Sequence, residues 1–314
     1  MSVLNRSKSR IYSINSGFFL FLPLLFIFLS CATSSSVRAI KDENPAREKP
    51  VSFLSVENVQ PQWQPFSQAI LYFHGKTSNP RLEFWALRIE LSVSDASAIT
   101  RIVVRDGGHN ADGTQPLSAK VSSFVRDNSL IAGINAVPFD VSSSKEGQSI
   151  KNAGIVISGG QVLSPANKRY DALVFYKDGR ARIVSQSAIQ STENIENAVG
   201  AFHHILIDGE PAERTQNREI RYPRSAAGVS DNGDVLYLLV IDGRRFGSIG
   251  ATEKETALLL KALGSWNGLN LDGGGSSALA LRQNDGAVKI VNTPIHDGIP
   301  GQERAVAGCL GIGN

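Results

Sequence analysis

Cysteine is almost absent from this chain. Two residues, Cys31 and Cys309, cannot build a disulfide framework or a Cys-rich zinc site. Histidine is scarce as well, with five in 314 residues. No His-x-x-x-His or comparable spacing appears, which argues against a tight transition-metal site. No cofactor is expected, although a hard divalent cation held by Asp, Asn and carbonyl oxygens stays open at this point. Long apolar runs are lacking too. The longest, Gly17–Leu29, has thirteen residues, too short to span a membrane as a helix. Nor does either sign of charge dominate. The formal net charge of +3 comes from Arg6, Lys8 and Arg10, and without them 29 basic residues face 29 acidic ones. No basic block remains to follow a phosphate backbone, so nucleic acid is excluded as a partner.

The N-terminus reads as a targeting segment. A basic start and a short apolar core lead to Phe28-Leu29-Ser30-Cys31, followed by Ala32-Thr33-Ser34-Ser35-Ser36. This pattern resembles a bacterial lipoprotein signal over residues 1–30, with Cys31 lipidated; an ordinary secretory signal is the alternative. Both readings imply export. The first adds anchoring to a membrane through lipid rather than through a spanning helix, with the domain in the periplasm or on the cell surface. Residues 31–66 read as a polar tether, long enough to hold the rest roughly 30 Å from the lipid surface. Residues 67–314 are enough for one sizeable core.

The rest is patterned mostly as strands. In Phe84–Ser92, Trp85, Leu87, Ile89 and Leu91 alternate with Arg88 and Glu90. Further strands are expected at Ile99–Arg105, Leu130–Asn135, Gly154–Ser158, Ala172–Tyr176, Ala181–Ser185, His204–Asp208, Ala226–Ser230 and Asp234–Ile241. Asp178-Gly179 and Asn232-Gly233 supply the positive φ angles of hairpin turns. Thr252-Glu253-Lys254-Glu255 is a capping box opening a helix with Leu258, Leu259, Ala262 and Leu263 on one face; Gly264 stops it. Ser122–Asp127 and Glu193–Ala198 read as short helices. Together these imply a single α/β (mixed α+β) domain with a large, mixed, strand-rich sheet and few helices.

One string carries the chemistry: Asn270-Leu271-Asp272-Gly273-Gly274-Gly275-Ser276-Ser277. A carboxylate ends an apolar run, then three glycines follow that any helix or strand would disfavour. Amides of Gly273, Gly274 and Gly275, with the hydroxyls of Ser276 and Ser277, suit a sugar or phosphate ligand. No Lys-Ser/Thr follows the glycines, so this is not a P-loop, and Gly274-Gly275-Ser276-Ser277-Ala278 lacks the last glycine of a nucleophile elbow. A second acid, Asp242, ends the preceding strand 30 residues earlier, the length of one crossover unit. Two strand-end carboxylates facing one cleft fit acid–base work at a glycosidic bond, their separation deciding retention or inversion. A turn carboxylate pairing with Arg244 is the plainer reading of Asp242. Arg224, at a strand entry, suits bidentate capture of phosphate. Asn135 and Asp140 form an amide–acid pair near a strand end. His109 and His296 read as loop residues, and His203-His204 as structural.

The order of motifs resembles the phosphodiester glycosidase domain. The matching strings are Asn135-Ala136…Phe139-Asp140, Pro223-Arg224-Ser225-Ala226-Ala227-Gly228-Val229, Val240-Ile241-Asp242-Gly243-Arg244, Gly250-Ala251-Thr252, the Asp272 string, Val291-Asn292-Thr293-Pro294 and Glu303-Arg304-Ala305-Val306. They cover about residues 130–313. Val137-Pro138 stands where the family often has a glycine and an aromatic, a departure that bears on sugar specificity. The resemblance implies an envelope hydrolase that releases an α-linked, N-acetylglucosamine-like sugar from a glycosyl phosphodiester. It assigns catalysis to Asp272, Asp242 and Arg224, and binding to Asn135, Asp140, Gly273–Gly275, Ser276, Ser277 and Arg304. The expected partners are a carbohydrate or sugar-phosphate substrate and, through Cys31, a membrane. The alternative is a lipoprotein that binds glycan or sugar phosphate in the same cleft without turnover.

Overall fold

The computed structural model describes residues 55–91, 101–106, 116–140 and 145–313. Cys31, the signal segment and His109 lie outside these residues. The described residues fall in one compact unit, Pro50–Asn314.

The architecture is mainly β. Three sheets carry it, with two α-helices among the described residues, Val121–Asp127 and Glu253–Leu263. The largest sheet has eight strands. In spatial order they are Gln64–Ser67, Ile70–Ser78, Arg81–Glu90, Val235–Ile241, Arg224–Val229, Asn267–Asn270, His203–Ile207 and Glu210–Pro211. One five-stranded sheet centres on Ile195–Ala201, the other on Ala132–Val137 and Gly308–Gly313. Every pairing between these strands is antiparallel. The expected mixed sheet is therefore an antiparallel one. The reason is local: hairpin turns at Gly179 and Gly233, with φ of 83° and 78°, join neighbouring strands directly.

The main core lies where the three sheets meet, with Leu87, Ile89, Leu238, Ile134, Leu173 and Val199 among its buried members. The outer face of the large sheet is covered by the Glu253–Leu263 helix, through Leu259, Leu260 and Leu263. That helix forms as expected. Thr252 accepts from the Glu255 amide at 3.1 Å, Glu255 accepts from the Thr252 amide at 2.9 Å, and Gly264 closes it at φ 111°.

Two boundaries differ from expectation. The stretch assigned to the tether already contributes to the fold from residue 55: Val56 and Val59 are buried against the helix layer, and Gln64–Ser67 is a strand. Apolar residues spaced along a polar segment were enough to dock it. Glu193–Ala198 is no helix but the start of the Ile195–Ala201 strand, because Ala198 and Val199 pair with Ile157 and Val156 in the middle of a sheet.

Candidate active site

The antiparallel register brings the sequence-marked residues to one sheet end. Arg224 opens its strand opposite Ile241, the last strand residue before Asp242. On the other side, Ala226 pairs with Asn270, two residues before Asp272. The strand carrying Arg224 thus sits between the two acid-bearing strands. The crossover from Asp242 through the helix to Asp272 skips one strand rather than joining neighbours.

A cleft of about 330 Å³ opens at this end. Its walls include Arg224, Asp272, Gly273 and Gly274, together with Arg218, Arg244, Tyr222, His203, Glu253 and Asn270. Arg224 is buried. Its Nε donates to the Ala251 carbonyl at 3.0 Å, its Nη2 to the Ile220 carbonyl at 3.1 Å, and its Nη1 lies 3.9 Å from Glu253 Oε1. Desolvation lowers its pKa, partly offset by Glu253. Glu253 also bonds His203 Nε2 at 3.0 Å and accepts from Arg218 Nη1 at 3.2 Å. Burial pushes its carboxyl pKa up, but the His203 bond and the Arg218 and Arg224 charges outweigh it and hold the group low.

Asp272 is the opposite case. Burial raises its pKa to about 6, against the pull of Ser276, the Arg304 charge and the Gly273 amide. Arg304 Nη1 donates to Ser276 Oγ at 3.4 Å, so the arginine reaches the carboxylate through the serine. Asp272 Oδ2 and Asn270 Oδ1 are both buried without a hydrogen-bond partner. One cleft therefore holds two carboxyl groups of contrasting proton affinity beside three guanidinium groups.

Asn135 serves this site from behind. Its Nδ2 donates to the Asp272 carbonyl, while its Oδ1 accepts from Ser225 Oγ at 2.7 Å and from the Ala278 amide at 3.1 Å. Both ends of its amide are bonded within the protein, and it does not line the cleft.

The glycines also answer close packing. The amides of Gly274, Ser276 and Ser277 go to the carbonyls of Pro223, Gly273 and Gly274. Gly274 has φ 63°, and a Cβ at Gly275 would lie 3.3 Å from His296 Nδ1. Of the three glycine amides, that of Gly274 is spent on the turn and that of Gly273 bonds the Asp272 carboxylate.

Asp242 does not line the cleft. Its carboxylate accepts from Arg245 Nη2 at 2.6 Å, the Thr293 amide at 3.0 Å and Asn292 Nδ2 at 3.1 Å. Even so, burial holds its carboxyl above the ordinary range. Its ion-pair partner is Arg245 rather than Arg244, because Arg244 takes a left-handed φ of 59° and lines the cleft instead. Asp140 is exposed and lines a separate, larger cavity of about 750 Å³ with Lys151, Lys168 and Arg169. Ser277 is buried, and Arg304 lies over the Phe139 ring at 4.9 Å.

Among the cleft residues, sequence reasoning assigned no site role to Glu253, His203, Arg218, Arg244 and Tyr222. The signal for Glu253 lay in the capping box. Glu255 closes the box, which leaves the other acid of that turn without a local task. Among the described residues no group of three or more His, Cys, Asp or Glu side chains is placed to hold a metal ion.

The motif-bearing end of the chain also decides its kinship, since residues 128–313 match the family described as phosphodiester glycosidase. The chain belongs to the phosphodiester glycosidase family. Its fold is similar to the catalytic domain of zebrafish N-acetylglucosamine-1-phosphodiester alpha-N-acetylglucosaminidase, auto-inhibited by its pro-peptide. The TM-score is 0.58 at 18% identity, over 82% of this chain and 89% of that one. A hypothetical protein from Synechocystis is similar at TM-score 0.58 and 15% identity, over 81% of this chain and 64% of that one. In sequence, the SPbeta prophage-derived protein YomE of Bacillus subtilis (strain 168) is 30% identical over 150 residues, 45% of this chain. The chain spans 22% of that relative's length. In this molecule the cleft at the Arg224–Asp272 sheet end is where three guanidinium groups meet buried acceptors without partners.

Proposed function

We propose that this protein is an exported hydrolase that cleaves an α-linked, N-acetylglucosamine-like sugar from a glycosyl phosphodiester. The observation that carries this reading is the convergence of Arg218, Arg224 and Arg244 on a cleft whose Asp272 carboxyl has a pKa near 6. Guanidinium groups suit a phosphodiester, and a buried carboxylate suits the positive charge that develops at the anomeric carbon. The exported, lipid-anchored state is proposed from residues 1–31 alone.

In the reaction, the bond between the anomeric carbon and the phosphate oxygen breaks, and that oxygen keeps the electron pair. The leaving phosphate is stable as an anion, so it needs little protonation; Arg224 and Arg244 would hold it. Asp272 stabilises the oxocarbenium-like centre, either as nucleophile or by taking the proton of the attacking water. The products are the free sugar and a phosphate monoester. Glu253, held ionised by His203 and Arg218, replaces Asp242 as the second carboxylate of the cleft and orients Arg224. Asp242 then belongs to the scaffold. A sugar hydroxyl donating to Asn270 Oδ1 or Asp272 Oδ2 would relieve an unmet buried acceptor.

Purified protein is incubated with a panel of α-glycosyl phosphodiesters and free sugar is quantified. Release by the native protein, abolished in Asp272→Asn, supports the reading. Binding of a glycan phosphate with no release over long incubation would assign the cleft to binding without turnover.

A further inference from the structure

Exposed apolar side chains are ordinary when scattered, and significant when they gather beside a site. Eight large hydrophobic residues are exposed among the described residues, and four of them are Phe246 at 85%, Ile220 at 65%, Tyr222 at 42% and Ile249 at 37%. These four lie on two segments that are pinned together at the cleft mouth. Tyr222 pairs with Ala251 in an isolated bridge. Gly250 presses against Tyr222 so closely that a Cβ there would lie 2.7 Å from the Tyr222 carbonyl. The strip then continues outward: the Ile249 amide donates to the Arg81 carbonyl at 3.0 Å, and the Arg81 guanidinium lies over the Phe246 ring at 4.4 Å.

At its inner end this strip meets charge. Tyr222 lines the cleft, and both Arg224 and Arg244 lie over its ring, at 5.5 and 6.0 Å. A phosphate held by those two arginines with its sugar ester oxygen toward Asp272 would leave the other ester oxygen on the Tyr222 side. Whatever hangs from it would lie along Tyr222, Ile249 and Phe246, whose exposed surface is mainly hydrocarbon, edged by the Tyr222 hydroxyl and the Arg81 guanidinium.

We infer that the preferred substrate is amphiphilic: a glycosyl phosphodiester whose second ester group is a hydrocarbon chain. This rests on the proposed glycosidase reading and adds the class of the leaving group. The chain gains from burying methylenes on the strip, while the charged phosphate stays in the cleft.

The test compares the methyl and octyl diesters of α-N-acetylglucosamine-1-phosphate, used below the micelle-forming concentration. The octyl compound should show kcat/KM about tenfold higher, through a lower KM. The double variant Phe246→Ser, Ile249→Ser should reduce that advantage to about twofold and leave methyl kinetics unchanged. A control, Ile207→Ser, removes an exposed apolar residue outside the strip and should change neither. Affinities of both compounds for Asp272→Asn protein are measured calorimetrically alongside. Absence of turnover of both compounds overturns the glycosidase reading alone. Equal affinity for the two compounds, or an octyl advantage that survives the double substitution, overturns the amphiphile inference.

Discussion

The side-chain amide of Asn135 donates to the backbone carbonyl of Asp272 across 137 residues of sequence. The same side chain accepts from Ser225, the neighbour of Arg224. One buried amide therefore ties the acid-bearing turn to the strand that presents the arginine.

Asn135→Ala should be costly for that reason. It strands the Asp272 carbonyl, the Ser225 hydroxyl and the Ala278 amide without their partner, a loss of about 2–4 kcal/mol in urea unfolding. Activity per folded molecule should fall as well, since the carboxylate loses its backbone anchor. Unchanged stability would show that Asn135 is not the tie described.

Asp272→Asn should stabilise the protein at pH 7. The folded carboxyl titrates at about 6, above an ordinary aspartate. The folded state thus binds the extra proton between roughly pH 4 and 6, and stability declines as pH rises through that window. Asparagine carries no charge to desolvate, so the gain at pH 7 is up to about 3 kcal/mol, and it vanishes below about pH 4. Thermal unfolding of both proteins across pH reads it directly; a destabilised variant at pH 7 refutes it.

The same carboxyl sets an acid limb on the rate. If ionised Asp272 acts at the anomeric carbon, kcat/KM should fall about tenfold for each pH step below about 6. A profile flat down to pH 4.5 would remove Asp272 from that role.

Arg244 and Arg224 should separate binding from folding. Arg244 is exposed; it donates a 3.3 Å bond to the Ile295 carbonyl and lies over the Tyr222 ring. Arg244→Gln should raise KM about 10–100-fold with little change in melting temperature. Arg224→Gln should do both, because Arg224 also holds the Ala251 and Ile220 carbonyls. Equal melting temperatures for the two variants would contradict this division.

Asp242→Ala should be a stability variant. It leaves Arg245, Asn292 and the Thr293 amide without their shared acceptor, at a cost of about 3 kcal/mol. Activity of the folded fraction should stay within about threefold of native. Complete loss of activity in a folded variant would return Asp242 to the chemistry.

Sequence alone determined what is encoded locally. Alternation marked the strand at Phe84–Ser92, a nearly continuous apolar run marked the one at Asp234–Ile241, Asp178-Gly179 and Asn232-Gly233 marked hairpins, and the Thr252–Glu255 box marked the helix start, because each depends on neighbours within a few residues. The Asp272 string marked the turn that lines the cleft, where Gly274 takes a positive φ and a Cβ at Gly275 would crowd His296. Tertiary structure decided the partners. Asp242 lies just beyond a strand end and Glu253 opens a helix, and spacing cannot say which of them shares a cleft with Asp272. That depends on the strand carrying Arg224 lying between the two acid-bearing strands, and on Arg245 and Thr293 capturing Asp242 first. Asn135 looked like a sugar ligand for the same reason. A buried amide and an exposed one are identical in sequence, and only packing determines whether protein or substrate satisfies it.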